Sequence, residues 1–208
     1  MKAAKPSPHA SDPATLAFYA REAAVYVASG EEDSSRWLAA FMAALPAGAR
    51  VLELGCGGGR DAAALLANGF DVRATDATPA MAAKAAERLG REVAVMRFDE
   101  LCDVEAFDAV WANASLLHVP RPALPDVLAR IFRALKPGGL HFASYKGGGT
   151  PGRDRLGRYF NYFDCASLVE AYAASARWDI ASIAELSGGG YDGVQGPWLA
   201  LSARRPLS

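Results

Sequence analysis

VLELGCGGGR at residues 51–60, running on into DAAALLANG at 61–69, is the stretch on which the fold turns. A short apolar run, RVLEL at 50–54, stops at a glycine cluster and a helical pattern follows at once, which reads as a strand, a tight turn and a helix. In Glu53-Leu-Gly-Cys-Gly-Gly-Gly59 the glycines stand where only a missing side chain lets backbone N–H groups approach a ligand closely. A bare glycine turn also closes many strand–helix units that bind nothing, so its surroundings must arbitrate. Asp76 lies about 20 residues beyond the first glycines, at the end of the next strand, where a carboxylate can accept both hydroxyls of a ribose. Its rival role is a helix cap, shared with Thr78 and Pro79.

The leading acid narrows the ligand. Glu53 sits within the strand end, and the spacing is ExGxGxG rather than the GxGxxG of nicotinamide enzymes. A carboxylate there repels a pyrophosphate and attracts a cofactor carrying ammonium and sulfonium charge.

Outward from this unit the alternation continues. DVRATD (71–76), EVAVMRF (92–98), FDAVWAN (107–113) and GLHFASYK (139–146) read as strands, with helices over 79–89 and 121–135 between them. Five parallel strands with crossover helices follow. Helices are also expected over 14–29 and 35–45, and near 164–175. The closing segments WDIASIAEL and PWLALSARR are separated by SGGGYDGVQG, too short for a helical crossover, so the last strand should run antiparallel. The expected fold class is α/β: a doubly wound, Rossmann-like, seven-stranded, mostly parallel sheet with helices on both faces and an N-terminal helical lid. Residues 1–13, rich in Pro, Ser and Ala, read as a flexible tail before a single domain over 14–208.

A chain of 208 residues suits one core. Its formal net charge of −1 offers no general attraction to phosphate backbones. Cys56, Cys102 and Cys165 are odd in number and widely spaced, fitting neither a disulfide framework nor a zinc site, so no metal is expected. Polar residues interrupt the N-terminal segment before it reaches the apolar length of a signal peptide, and no stretch has the length of a membrane span. A cytoplasmic protein without membrane contact, monomeric or homodimeric, is expected.

VLELGCGGGRDAAALLANGFDVRATDAT, then MRFDEL, FDAVWANASLLHVP and LKPGGLHFASYK, together resemble the class I S-adenosylmethionine-dependent methyltransferases. The resemblance covers the chain from about Tyr19 onward, and its four segments occur in the family's order. It implies S-adenosylmethionine as cofactor, with S-adenosylhomocysteine as product. Gly55, Cys56 and Gly57 would border the methionine moiety with Glu53, and Asp76 with Ala77 would hold the ribose. Asp99 would meet the adenine amine, an acceptor-only carboxylate suiting an amino group. Phe98 and Met81 would sandwich the adenine ring or pack in the core. Asn113 and Ala114 would border the sulfonium end.

Tyr19 and Tyr26 share one helical face, as a lid over the cofactor or as core. Transfer from a sulfonium mainly demands alignment, so the acceptor is less legible. Asn113-Ala114-Ser115-Leu116 lacks the Asn/Asp-Pro-Pro-aromatic signature of enzymes acting on nucleobase amines. His118 has a pKa suited to a general base, or packs on the following helix. Lys146, Arg153, Arg155 and Arg158, beside Tyr159, Phe160 and Tyr162, read as a patch for an anionic acceptor or as a solvated loop; Arg158 and Tyr159 are the stronger candidates. The expected reaction is methyl transfer to a small molecule. Two alternatives stay open: a wobble-uridine tRNA methyltransferase, from a loose match at Arg158-Tyr159 and Trp198, and a non-catalytic adaptor built on the cofactor fold.

Overall fold

The computed structural model of the protein describes residues 10–29 and 35–207. In chain order its elements are α1 (Pro13–Ser29), α2 (Leu38–Ala43), β1 (Arg50–Leu54), α3 (Arg60–Ala67), β2 (Asp71–Asp76), α4 (Pro79–Leu89), β3 (Ala94–Val95), β4 (Phe107–Ala112), α5 (Leu124–Ala134), β5 (Leu135–Lys146), β6 (Gly152–Arg153), β7 (Tyr159–Phe160), α6 (Cys165–Ala173), β8 (Asp179–Gly189) and β9 (Gln195–Arg204). Seven strands form one sheet in the order β3-β2-β1-β4-β5-β9-β8. The first five run parallel, and β9 is antiparallel to both of its neighbours. This is the doubly wound, mostly parallel sheet that the alternation of patterns implies, its last strand reversed.

The central strands are apolar because both of their faces are covered. Val51, Leu52 and Leu54 of β1 and Ala109 to Ala112 of β4 are completely buried. On one side of the sheet the core takes Leu124, Val127, Leu128, Ile131 and Ala134 of α5 with Leu168 and Tyr172 of α6. The other side takes Leu38 and Phe41 of α2, Ala62 and Leu65 of α3 and Ala82 and Ala85 of α4. Strand order reverses direction between β1 and β4, and the crevice at their carboxyl ends is where such sheets bind ligands.

The differences from the sequence reading have local causes. The strand expected over 92–98 shrinks to Ala94–Val95, because it lies at the sheet edge and the chain turns at Phe98–Glu100, where the Glu100 carboxylate accepts the Arg97 N–H at 2.8 Å. The helix expected over 35–45 is only Leu38–Ala43. The Gly- and Arg-rich loop contains a two-stranded ribbon, β6 with β7, folded on Asp154, whose Oδ1 accepts the Leu156 and Arg158 N–H groups at 3.0 and 2.9 Å. Within the expected tail, residues 1–9 lie outside the described residues, whereas Ala10 is buried and Asp12 bonds to Thr15 and Arg153. No helix among the described residues is long and apolar enough to cross a membrane.

Candidate active site

The glycine turn after β1 is latched to the end of β2. The Thr75 carbonyl accepts the N–H groups of both Gly55 and Cys56 at 2.9 Å. The Gly57 N–H donates to Asp76 Oδ2 at 3.0 Å, and the Thr78 N–H donates to Asp76 Oδ1 at 2.8 Å. These three turn amides are therefore engaged within the protein rather than aimed at a ligand. The glycines serve the geometry instead: Gly55 has φ +73°, and a Cβ there would stand 2.6 Å from the Ser115 Cβ. Each Asp76 oxygen keeps a second lone-pair position for another donor.

Three buried carboxylates, Glu53, Asp61 and Asp76, surround this turn. Asp61 is well supplied with donors: the Ser35 N–H at 2.8 Å, Trp111 Nε1 at 3.0 Å and Asn113 Nδ2 at 3.2 Å. Glu53 is not, and among the described residues its buried Oε2 has no hydrogen-bond partner. Burial, reinforced by the negative charge of Asp61 and Asp76, holds the Glu53 carboxyl well above the usual carboxylate range. Burial likewise raises Asp76, against the Thr78 and Gly57 amides that draw it down. Arg60 is the cation that opposes this cluster, and it is already 3.4 Å from Asp61. A ligand bringing positive charge relieves the repulsion, whereas a diphosphate adds to it.

A cavity of about 550 Å³ opens beside these groups, lined by Thr15, Leu16, Tyr19, Tyr26, Gly55, Gly57, Asp76, Ala77, Thr78, Met81, Phe98, Ala114, Ser115 and His118. Its roof is α1, which presses on the glycine turn: a Cβ on Gly58 would stand 2.8 Å from Val27. The helix is tied down at its start. Asp12 pairs with Arg153 of β6 at 2.7 and 2.9 Å, and Thr15 Oγ1 accepts the Tyr159 N–H at 2.8 Å.

A second, smaller cavity of about 280 Å³ shares Tyr19, Tyr26, Ala114 and His118 with the first and continues to Leu117, Lys146, Arg158, Phe160, Gly190, Tyr191 and Trp198. A chain of hydrogen bonds crosses the shared wall. Arg158 Nη1 donates to the Tyr19 hydroxyl at 3.2 Å, and that hydroxyl lies 2.9 Å from His118 Nε2. His118 Nδ1 lies 2.6 Å from the Tyr159 carbonyl oxygen, which can only accept. Nδ1 therefore carries the imidazole proton, and Nε2 accepts from Tyr19. Burial lowers the His118 pKa to about 4, with the Arg158 and Lys146 charges acting in the same direction and the Tyr159 carbonyl against them.

The structure thus gathers ten residues singled out in the sequence around the first cavity: Tyr19, Tyr26, Gly55, Gly57, Asp76, Ala77, Met81, Phe98, Ala114 and His118. Others stand back from it. Asp99 is buried against Arg97 at 3.0 Å, Asn113 bonds to Asp61 and Ser144, and the Cys56 thiol is buried with its pKa raised by that burial. Tyr159 contributes backbone groups to the Thr15 and His118 bonds. The basic loop is divided: Arg153 pairs with Asp12, Arg155 donates to the Asp192 carbonyl at 2.7 Å, and Arg158 is buried against Asp154 at 2.7 Å. Thr15, Leu16 and Ser115 line the cavity without having stood out in the sequence, and Thr78, read there only as part of a helix cap, joins them. Small and unexceptional, they acquire a place there only through α1 docking and the turns after β2 and β4.

Residues 51–139 match the family described as "Methyltransferase domain". Over 106 residues the chain is 42% identical to trans-aconitate 2-methyltransferase of Variovorax paradoxus, a match that covers 46% of this chain and 38% of that one. The chain thus matches well under half the length of that relative. A solved S-adenosylmethionine-dependent methyltransferase of Methanosarcina mazei superposes with a TM-score of 0.75 at 18% identity, covering 85% of this chain and all 100% of that one, a likeness of fold alone. The 1,6-didemethyltoxoflavin-N1-methyltransferase of Burkholderia thailandensis, solved with its substrate and S-adenosylhomocysteine, superposes with a TM-score of 0.74 at 25% identity, over 99% of this chain and 93% of that one. The family match falls on β1 through the start of β5, less than half of the chain; over that stretch the sequence is similar to methyltransferases, and the solved neighbours share the fold of most of the chain.

Proposed function

We propose that the protein transfers the methyl group of S-adenosylmethionine to a small-molecule acceptor. The observation that carries this reading is the buried Glu53 Oε2, unpartnered among the described residues, at the head of a carboxylate cluster beside the first cavity. A cofactor with an ammonium and a sulfonium supplies the positive charge that this cluster lacks, and Glu53 then gains the hydrogen-bond donor it is missing. Asp76, with one lone-pair position free on each oxygen, takes the ribose hydroxyls, and Ala77 lies against the same sugar. Met81 and Phe98 give the adenine its apolar faces. Asp99, behind Phe98, would reach the adenine amine after exchanging part of its Arg97 pairing.

When bound, the cofactor supplies an electrophilic methyl group: its S–CH₃ bond breaks as the acceptor–CH₃ bond forms, and the sulfur keeps the electron pair. The protein's part is alignment and exclusion of water. Asn113, held by Asp61 and Ser144, fixes the backbone at Ala114 beside the shared wall; the Ala114 N–H donates to Ser144 Oγ at 2.8 Å. Tyr19 and Tyr26 close over the reacting region from α1. Arg158 and the Tyr159 backbone hold Tyr19 and His118 in place. The neutral, weakly basic His118 acts here as a positioning residue whose Nε2 orients the Tyr19 hydroxyl.

The relative from Variovorax paradoxus is named for methylating trans-aconitate and the neighbour from Burkholderia thailandensis for methylating a heterocycle, so small acceptors are at home on this fold. The RNA reading gains no support, since the Arg153, Arg155 and Arg158 guanidinium groups it relied on make internal ties. The test is transfer of labelled methyl from S-adenosylmethionine to a metabolite panel, by wild type and Asp76→Ala. Turnover with wild type that the variant loses is expected. Wild-type binding of the cofactor without transfer to any acceptor would favour the adaptor reading instead.

A further inference from the structure

Six of the residues that line the second cavity come from the part of the chain beyond residue 139, where the family match ends. Lys146 closes β5, Arg158 and Phe160 come from the ribbon, and Gly190, Tyr191 and Trp198 come from the β8–β9 hairpin. Lys146 is the unusual group among them. It is only 8% exposed, and among the described residues its ammonium has a single, loose ionic partner, Asp192 Oδ1 at 3.5 Å. That oxygen is also shared with the Val194 N–H at 3.3 Å. The ammonium stands over the Phe160 ring at 4.6 Å and near Trp198 at 5.9 Å, and Gly190 leaves room for it, since a Cβ there would lie 2.7 Å from Nζ.

Arg158 faces the same cavity, but its charge is already paired and three of its five N–H donors are in use. Nε and Nη2 bond to Asp154 at 3.0 and 2.7 Å, and Nη1 bonds to Tyr19. The cavity wall thus presents both cations, while the carboxylates that balance them, Asp154 and Asp192, stand behind it. Lys146 is the more weakly paired of the two cations, 3.5 Å from its carboxylate against 2.7 Å for Arg158. A buried ammonium so weakly bonded is costly unless an anion completes it. One point charge with spare donors suits a singly charged carboxylate better than a phosphate dianion, which calls for several converging donors. The ring faces of Phe160, Trp198 and Tyr191 favour a flat body behind that charge.

On the methyltransferase reading above, we propose that Lys146 is the residue that selects the acceptor, and that the acceptor is a small, flat, unsaturated carboxylate whose charge docks on its ammonium. Asp192 occupies that ammonium in the free protein and yields it on binding.

The experiment is calorimetry on the full chain saturated with S-adenosylhomocysteine, using benzoate, cinnamate and crotonate, each beside its neutral amide. At least one acid is expected to bind, tenfold or more tighter than its amide. Lys146→Gln should lose that binding by tenfold or more while its affinity for S-adenosylhomocysteine stays within twofold of wild type. Asp192→Asn, which frees the ammonium, should bind the acid several-fold tighter; a merely structural ion pair would instead lose binding in both variants. Amides binding as well as acids, no acid binding at all, or a Lys146→Gln variant that binds the acid unchanged would each overturn the inference. Failure of wild type to bind S-adenosylhomocysteine would be a different result, overturning the cofactor reading and this inference with it.

Discussion

The Tyr19 hydroxyl and the His118 imidazole share a hydrogen bond of 2.9 Å on the wall between the two cavities, and it joins α1 to the turn after β4. Tyr19→Phe removes the hydroxyl and leaves both Arg158 Nη1 and His118 Nε2 short of a partner. A stability loss of about 1–3 kcal/mol is expected by denaturant titration, with methyl transfer lowered by about tenfold. An unchanged rate would remove Tyr19 from the alignment argument.

Acid sensitivity follows from the two buried histidines. Burial lowers both His118 and His141 from 6.5 to about 4. Between those values the unfolded chain takes up protons that the folded chain refuses, so stability present above pH 6.5 is lost as pH falls toward 4. For the fully buried His141 this amounts to about 3 kcal/mol. Urea midpoints at pH 7, 5.5 and 4.5 should fall in that order, and His141→Gln should flatten the trend. By the same account kcat/KM should show no histidine ionisation between pH 6 and 8.

Glu53 reverses the sign. Its folded pKa lies above its unfolded value, so its contribution to stability is fully present below the unfolded pKa and is lost as pH rises through the folded pKa. Glu53→Gln should therefore stabilise the free protein at neutral pH, raising Tm, and weaken S-adenosylmethionine binding by about tenfold, roughly 1.4 kcal/mol. A variant both less stable and equally able to bind would contradict the assignment of Glu53 to the cofactor's ammonium.

Where the sequence spoke clearly, its signals were local. β1, β2 and α4 have the bounds read from RVLEL, DVRATD and the Pro79–Leu89 pattern, because glycine turns and a proline at the first helical position mark their ends. β3 did not, since an edge strand needs pairing on one side only, and Arg97 turns the chain away early. The ribbon was hidden because it depends on a single side chain, Asp154, in a segment whose glycines read as a loop. The site divides in the same way. The cofactor half follows from one contiguous motif and one aspartate, whereas Lys146, Asp192 and Tyr191 meet only through the return of the β8–β9 hairpin.

The α1 roof should be separable from the rest of the fold. Its start is held by the two Asp12–Arg153 bonds, an ion pair near the surface with Arg153 exposed, and by the Tyr159 N–H donating to Thr15 Oγ1. Arg153→Ala should change stability by less than about 1 kcal/mol, yet speed S-adenosylhomocysteine release several-fold and raise amide hydrogen exchange over residues 13–29. Exchange unchanged in that helix would show that the latch does not govern it.

The electrostatic reading of the first cavity has one direct test: calorimetric titration of wild type and Asp76→Ala with S-adenosylhomocysteine, S-adenosylmethionine and NAD. Wild type should bind both adenosyl ligands at micromolar levels, Asp76→Ala should lose about 100-fold, about 2.7 kcal/mol, and NAD should give no heat. Binding of NAD in that cavity, or no binding of either adenosyl ligand at submillimolar concentration, would contradict the account.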